Sequence, residues 1–486
     1  MFEKVKETGI YFIGTIGVAI LSFVISLLYS NMFTTADYGL YNLIAALYSL
    51  LYQLFTGWMT HSILRYYPEE KADNDAKSLR NTMLFILVAV SMLFAVVMLT
   101  ASFIYRVDPL LRQMCLVYIG VFFFEGLLLV FNTFIRAEGH SKQYSINTIL
   151  NSVIKSLSIV FLYYVIGIKS VTVIIISLLI AELVQSSYIF IKYKWNKIID
   201  VKTINKRLIK QVIQFGYPLI AVSIIFNVLV YSDRYIIRLF QGNSEVGLYS
   251  YGNNMGHALF YTMTNAIMLG AYPRLTKEWI NKGRKQTEEM MTGYLNMFCY
   301  LMIPATVGVI ATGKRIISTL CNEGYWDSST VFIITCISYA LFGLIQYTNK
   351  AWELTSNTKR ILHLNIITAL INICLNFLLI PKLGYVVAAV TTLVSFIVYI
   401  SISLVLSRKV FTFRFSKRSV FNIVVSSGVM YVALFFLDTI LERRVLMLAL
   451  EILTGIIVYS IMLLILQDKT MRTIVKTISS KMQRLK

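Results

Sequence analysis

The side chains best able to do chemistry in this chain are charged and amide groups set inside long apolar runs. The run 213–240 carries Asn227, Tyr231, Arg234 and Arg238 at i, i+4, i+7 and i+11, one helical face, with Asp233 about 100° away from Arg234. The next run, 247–271, places Asn253, His257, Tyr261 and Asn265 at steps of four, with Asn254 beside them. Lys155 stands near the middle of the run 144–167, and Glu125 and Glu182 near the middle of 112–135 and 171–192. A polar group at that depth is costly unless it faces a cavity or a partner. Lys155 therefore reads as a cavity cation or as the ion-pair partner of Glu125 or Glu182. Either acid reads as a proton or sodium site or as half of a structural pair. Arg65 and Arg238, near run ends, also suit interfacial anchoring, and His257 also suits packing.

These runs make up most of the chain. Of 486 residues 57% are hydrophobic and 14% charged, with a mean hydropathy of +0.70, whereas soluble chains carry roughly 25% charged residues. Apolar runs of about 20 residues recur, and fourteen spans are expected: 9–31, 39–64, 81–105, 112–135, 144–167, 171–192, 213–240, 247–271, 293–313, 328–353, 361–380, 384–407, 419–438 and 445–466. The first run is long for a signal-peptide core and reads as a retained span. With both termini on the cytoplasmic side, 34 of the 45 lysines and arginines fall on that side and 10 opposite, with Lys155 alone mid-span. That is the positive-inside bias. The charge of +21 lies in short loops and in the tail 469–486, a placement that suits anionic lipid headgroups better than nucleic acid.

An internal repeat organises the spans. Asp37-Tyr38-Gly39-Leu40-Tyr41 returns as Glu245-Val246-Gly247-Leu248-Tyr249, Tyr67-Pro68 as Tyr272-Pro273, Ser141-Lys142 as Thr358-Lys359, and Gly167 as Gly384. Six spans separate the copies, so the repeat is parallel. The expected architecture is all-α, with a six-helix lobe at 1–200, a second at 201–410, and two further helices with a basic tail at 411–486. The polar face Asn365, Thr368, Asn372 and Asn376 matches Thr148, Asn151 and Lys155 at the equivalent place in the first copy. A water-accessible cavity between lobes explains both faces, and interhelical hydrogen bonding is the other reading.

Enzyme chemistry finds no footing. His61, His140, His257 and His363 form no HxxxD or HExxH pattern, and no GxxxxGK[ST] loop occurs. No loop is long enough for a catalytic domain. Five scattered cysteines without CxxC spacing read as small core residues rather than metal ligands. No cofactor and no metal site is expected.

The stretch Asp233-Arg234-Tyr235-Ile236-Ile237, with Glu245 to Ser250 after it, resembles the passage between the seventh and eighth helices of bacterial polysaccharide-repeat-unit flippases of the Wzx type. Asn372 to Thr392, with Asn376-Phe377-Leu378-Leu379-Ile380-Pro381-Lys382-Leu383-Gly384, and the opening Phe33 to Leu43 resemble the same family, so the likeness covers essentially the whole chain. Its motifs are specific to a superfamily that also holds multidrug and toxin extruders (MATE) and lipid II flippases. The resemblance implies a MATE-like V of two six-helix lobes in a bacterial cytoplasmic membrane, alternating between inward-open and outward-open states. It implies a polyprenyl-diphosphate-linked oligosaccharide as cargo, with membrane lipids, a polysaccharide polymerase and export proteins as partners. Lys155, Arg234, Arg65 and Arg238 are then candidates for the diphosphate, and Asn253, Asn254, His257, Tyr261 and Asn265 for sugar hydroxyls. Glu125, Glu182 or Asp233 would couple H+ or Na+. No acid lies between Gly9 and Asn31, where drug extruders commonly have one. A cation-coupled small-molecule exporter is the main alternative. A lipid II-type flippase, a scaffold for polysaccharide synthesis and a membrane glycosyl- or acyltransferase are the others.

Overall fold

Backbone amides in hydrocarbon must bond within their own segment, so apolar runs of this length fold as helices. The computed structural model describes residues 2–468 apart from 73–74, 105–107, 198, 356, 409–410, 413–416 and 441–443. The tail 469–486 and much of the basic loop 408–418 lie outside the described residues. No strand occurs among the residues described.

The helices are α1 (Phe2–Met32), α2 (Thr35–Ala72), α3 (Ala76–Ile104), α4 (Pro109–Ala137), α5 (Ser141–Val160), α6 (Val173–Lys192), α7 (Lys206–Phe240), α8 (Asn243–Gly256), α9 (Thr262–Lys282), α10 (Arg284–Leu320), α11 (Ser329–Leu354), α12 (Lys359–Leu383), α13 (Val386–Ser407), α14 (Lys417–Ile440) and α15 (Val445–Ile465). A π turn at Phe161–Val165 extends α5, and another at His257–Tyr261 joins α8 to α9 in one continuous helix. Eleven helices among the described residues are long and apolar enough to cross a membrane. The predicted spans at 9–31, 213–240 and 247–271 lie on α1, α7 and α8–α9, outside that set.

Helix starts follow local chemistry. Asp108 caps α4 by accepting from Leu110 N at 2.8 Å, with Pro109 in the first turn, where its missing N–H costs nothing. Asn205 caps α7 through Arg207 N at 2.9 Å and Leu208 N at 3.4 Å.

The chain forms two compact units, residues 1–250 with 365–385, and residues 251–364 with 386–486. Within the first, small residues set close helix packing. A Cβ at Gly126 on α4 would meet the Leu87 side chain of α3, and one at Gly216 on α7 would meet the ring of Trp58 on α2. The repeated motif has a geometric reason. A Cβ at Gly39 would fall 1.9 Å from the Asn243 carbonyl oxygen, and one at Gly247 would fall 1.9 Å from that of Thr35. The starts of α2 and α8 thus cross backbone to backbone, each motif supplying the glycine the other requires. The aligned Gly167 and Gly384 share the left-handed conformation, at φ 84° and 88°.

The segment between α6 and α7 is strapped to the first unit. Trp195 is buried on Phe131 and Phe134, with the Arg80 guanidinium 5.6 Å from its ring centre. Asn81 donates to Thr203 Oγ1 at 2.7 Å and accepts from Asp200 N at 3.2 Å. Lys77 pairs with Asp200 at 3.1 Å. This contact and the Lys202 backbone N–H hold the Asp200 carboxyl below its usual range. A depressed carboxyl contributes above its unfolded pKa, so this tie is present at neutral pH and is lost on acidification through the folded value.

In the second unit, α14 and α15 are fastened to α10 at two levels. Arg315 on α10 meets Asp438 at 3.0 Å and Glu451 at 3.2 Å. Further along, Tyr300 donates to Asp468 Oδ2 at 2.7 Å, Asn422 to the same oxygen at 3.1 Å, and Tyr459 to the Tyr300 carbonyl at 3.0 Å. Ser403 donates to Thr348 at 2.6 Å and Tyr399 to Asn349 at 2.9 Å, tying α13 to α11.

Three outcomes follow. Gly247→Ala should cost about 1–3 kcal/mol by overpacking and lower the thermal midpoint read by labelling of the buried Cys321 and Cys336. Gly293→Ala, with nothing within 4 Å of its Cβ, should leave that midpoint unchanged or slightly raised. Asn81→Ala should free the strap, so that trypsin cuts at Lys194, Lys197 or Lys202 several-fold faster than in wild type.

Candidate functional site

Helix α7 presents two adjacent charges to the interior of the first unit. Asp233 is 1% exposed and Arg234 3%, and buried charges persist only with partners. Asp233 accepts from Tyr249 Oη at 2.5 Å and from Asn376 Nδ2 at 2.6 Å. The Asn376 amide also reaches Asn372 Oδ1 at 3.1 Å. Arg234 donates from Nε to Ser250 Oγ at 3.0 Å, with its guanidinium 4.8 Å from the Tyr231 ring centre. The two residues, side by side on α7, thus draw on α8 and α12 from different directions.

A second polar group lies on α4, α5 and α6. Lys155 faces Glu182 and Glu125 electrostatically, and the two carboxylates also face each other. Lys155 is half-buried and, among the described residues, forms no ion pair within 4.0 Å. Glu125 accepts from Tyr48 Oη on α2 at 2.5 Å. Tyr48 stacks on the buried Tyr118 ring at 4.2 Å.

The second unit holds the amide and aromatic stripe. Residues 253, 257, 261 and 265 span three steps of four, which on an ideal α-helix would drift by about 120°. The π turn at His257–Tyr261 takes one extra residue into the helix and removes about 100° of that drift. The stripe is thereby returned to one face. His257 stacks on Tyr261 at 4.3 Å and meets Tyr339 edge-on at 5.0 Å. Asn253 accepts from Thr335 Oγ1 at 3.5 Å, and Asn254 and Asn265 are half-buried.

Arg65 and Arg238 are exposed, and Arg65 pairs with Glu69 one turn on. Neither joins the buried groups. The structure therefore brings Asp233 together with Arg234, and Lys155 together with Glu125 and Glu182. It places Asn253 to Asn265 in the other unit. Lys350 and Glu353 pair with each other at 2.6 Å.

Three features lay outside the reach of sequence reading. The π turn carries no residue signal. The Arg315 cluster joins residues more than 120 apart. Asn372 and Asn376 were visible as a polar face, but their partner on α7 was not. Among the described residues no group of three His, Cys, Asp or Glu side chains could hold a metal.

The fold and sequence have relatives. An uncharacterized membrane protein of Methanocaldococcus jannaschii is 22% identical over 425 residues, 82% of either chain. A probable low-salt glycan biosynthesis flippase of Haloferax volcanii is 24% identical over 237 residues, 48% of this chain and 50% of that one. Among solved structures, a lipid II flippase in an inward closed conformation superposes with a TM-score of 0.74 at 15% identity, covering 96% of this chain and 99% of that one. An outward-facing multidrug transporter of the MATE family gives 0.62 at 14% identity, over 84% and 95%. At these identities the structures show a shared fold. The sequence profile of one family matches more than half of the chain, residues 5–279, and the protein is accordingly a member of the polysaccharide biosynthesis protein family.

Proposed function

We propose that this chain is a flippase that carries a polyprenyl-diphosphate-linked oligosaccharide repeat unit from the cytoplasmic to the outer leaflet by alternating access. Family membership supports a role in polysaccharide assembly, and the flippases among its relatives support translocation. The observation that carries the reading is the guanidinium of Arg234, buried in an apolar helix bundle between a serine hydroxyl and a tyrosine ring. Such a group suits a diphosphate, because a planar fork meets phosphate oxygens in pairs.

In this mechanism the lipid tail stays in the bilayer while the headgroup enters the polar interior. Arg234 takes the diphosphate. Asn253, Asn254, His257, Tyr261 and Asn265 meet sugar hydroxyls, and the aromatic rings beside His257 stack on sugar faces. Arg65 and Arg238, exposed on their helices, anchor span ends at the interface. Lys155, with two carboxylates in range, is not counted with Arg234. Coupling to H+ or Na+ needs only that the ion bind one state more tightly than the other, and Asp233, Glu125 and Glu182 are the acids placed for it.

Deleting the chain from its source organism should cause polyprenyl-diphosphate oligosaccharide to accumulate in the membrane. Wild type should relieve this, whereas Arg234→Ala at matched membrane level should reduce relief at least ~10-fold, equivalent to about 1.4 kcal/mol. Arg234→Lys should restore only part, since a point charge lacks the fork. Absence of accumulation, together with altered drug sensitivity, would replace this reading by the small-molecule exporter.

A further inference from the structure

Lys155 is flanked by more negative charge than it carries. With Glu125 and Glu182 ionised, the cluster on α4, α5 and α6 sums to one negative charge inside the first unit. Among the described residues, the charged and titratable groups that face it stand on α2, α4, α5 and α6: Tyr48 and Tyr52 on α2, Tyr118 and Glu125 on α4, Lys155 on α5 and Glu182 on α6. An anionic headgroup has no reason to enter so compensated a place.

The cluster is also short of hydrogen bonds. Glu182 is 5% exposed, and its Oε2 has no hydrogen-bond partner among the described residues. Gln185, one turn further along α6 and 1% exposed, has an Nε2 with no hydrogen-bond partner among the described residues, whereas the Asn151 amide on α5 is directed at the Glu182 carboxylate. Buried polar atoms of this kind are uncommon and call for a missing partner. Glu125 differs, because its Oε2 is already bonded to Tyr48.

We propose that Glu125, Lys155 and Glu182 form a protonation site that takes up one proton from water at Glu182, and that Lys155 is its fixed cation rather than a ligand of the cargo. One carboxylate becomes one carboxylic acid, the cluster becomes neutral, and no other bond changes. A proton is chosen over an alkali ion for two reasons. The ammonium already occupies the neighbourhood and repels a second metal-sized cation, and a proton needs one oxygen where an alkali ion needs several. Tyr48 and Tyr52 link the cluster to α2, which packs on α7. A change of charge here is thus felt by the helix that bears Arg234. The inference rests on the reading of an ion-coupled transporter, and it names the ion and its seat.

The full chain in lipid nanodiscs, titrated in choline buffer and followed by infrared difference spectroscopy, tests this without any cargo. A carboxylic-acid band should grow on acidification, keep its midpoint when sodium replaces choline, and lose at least half its intensity in Glu182→Gln. The triple variant Glu125→Gln, Lys155→Met, Glu182→Gln leaves no unpaired charge, so it should fold with a near-wild-type thermal midpoint and lack the band. A band unaffected by Glu182→Gln and by the triple variant would overturn the proposal. So would a band abolished by sodium at constant pH, which would make the site an alkali-ion site. Failure here leaves the accumulation experiment untouched, and failure of that experiment leaves the band unexplained but present.

Discussion

Asp233 and Arg234 stand next to each other on α7, both buried, with their partners on α8 and α12. In hydrocarbon a charge is retained only where other segments bring donors or acceptors to it. Tyr249, Ser250 and Asn376 do this from α8 and α12, with Asn372 accepting from Asn376. The pairing ties the segment 365–385 to the first 250 residues, which is how the chain divides into its compact units. The polar interior and the association of these helices are thus one fact.

The same constraint acts on the last two helices. Arg315 is 3% exposed and Glu451 fully buried, with Asp438 half exposed beside them. Breaking such a pair by removing one partner is costly, about 3–5 kcal/mol, because the other charge stays buried alone. Together with the Tyr300–Asp468–Asn422 tie, it holds α14 and α15 at two levels along α10. Between the ties the helices line an apolar cavity with Leu301, Pro304, Leu434 and Ile456. Polar ends and an apolar middle are what this helix pair needs to stay attached in lipid.

Backbone geometry does work that side chains cannot. The π turn at His257 realigns a stripe spaced at four residues, and the crossed starts of α2 and α8 admit no side chain at Gly39 or Gly247. Both are local departures from regular packing that sit next to the polar residues. The π turn aims groups that a straight α-helix would scatter around its circumference.

The sequence alone determined the class and the helical architecture, because the length and apolarity of a span are one-dimensional quantities. It also singled out Lys155, Glu125, Glu182, Asp233 and Arg234, since a charge in an apolar run is visible without a fold. Which charges meet was decided only by tertiary structure. Asp233 pairs with an amide 143 residues away, and Lys155 comes to face two acids from different helices. Arg65 and Arg238, equally conspicuous in the sequence, are left at the surface. Burial of a charge depends on what the other helices place opposite it, and no spacing rule along one helix records that.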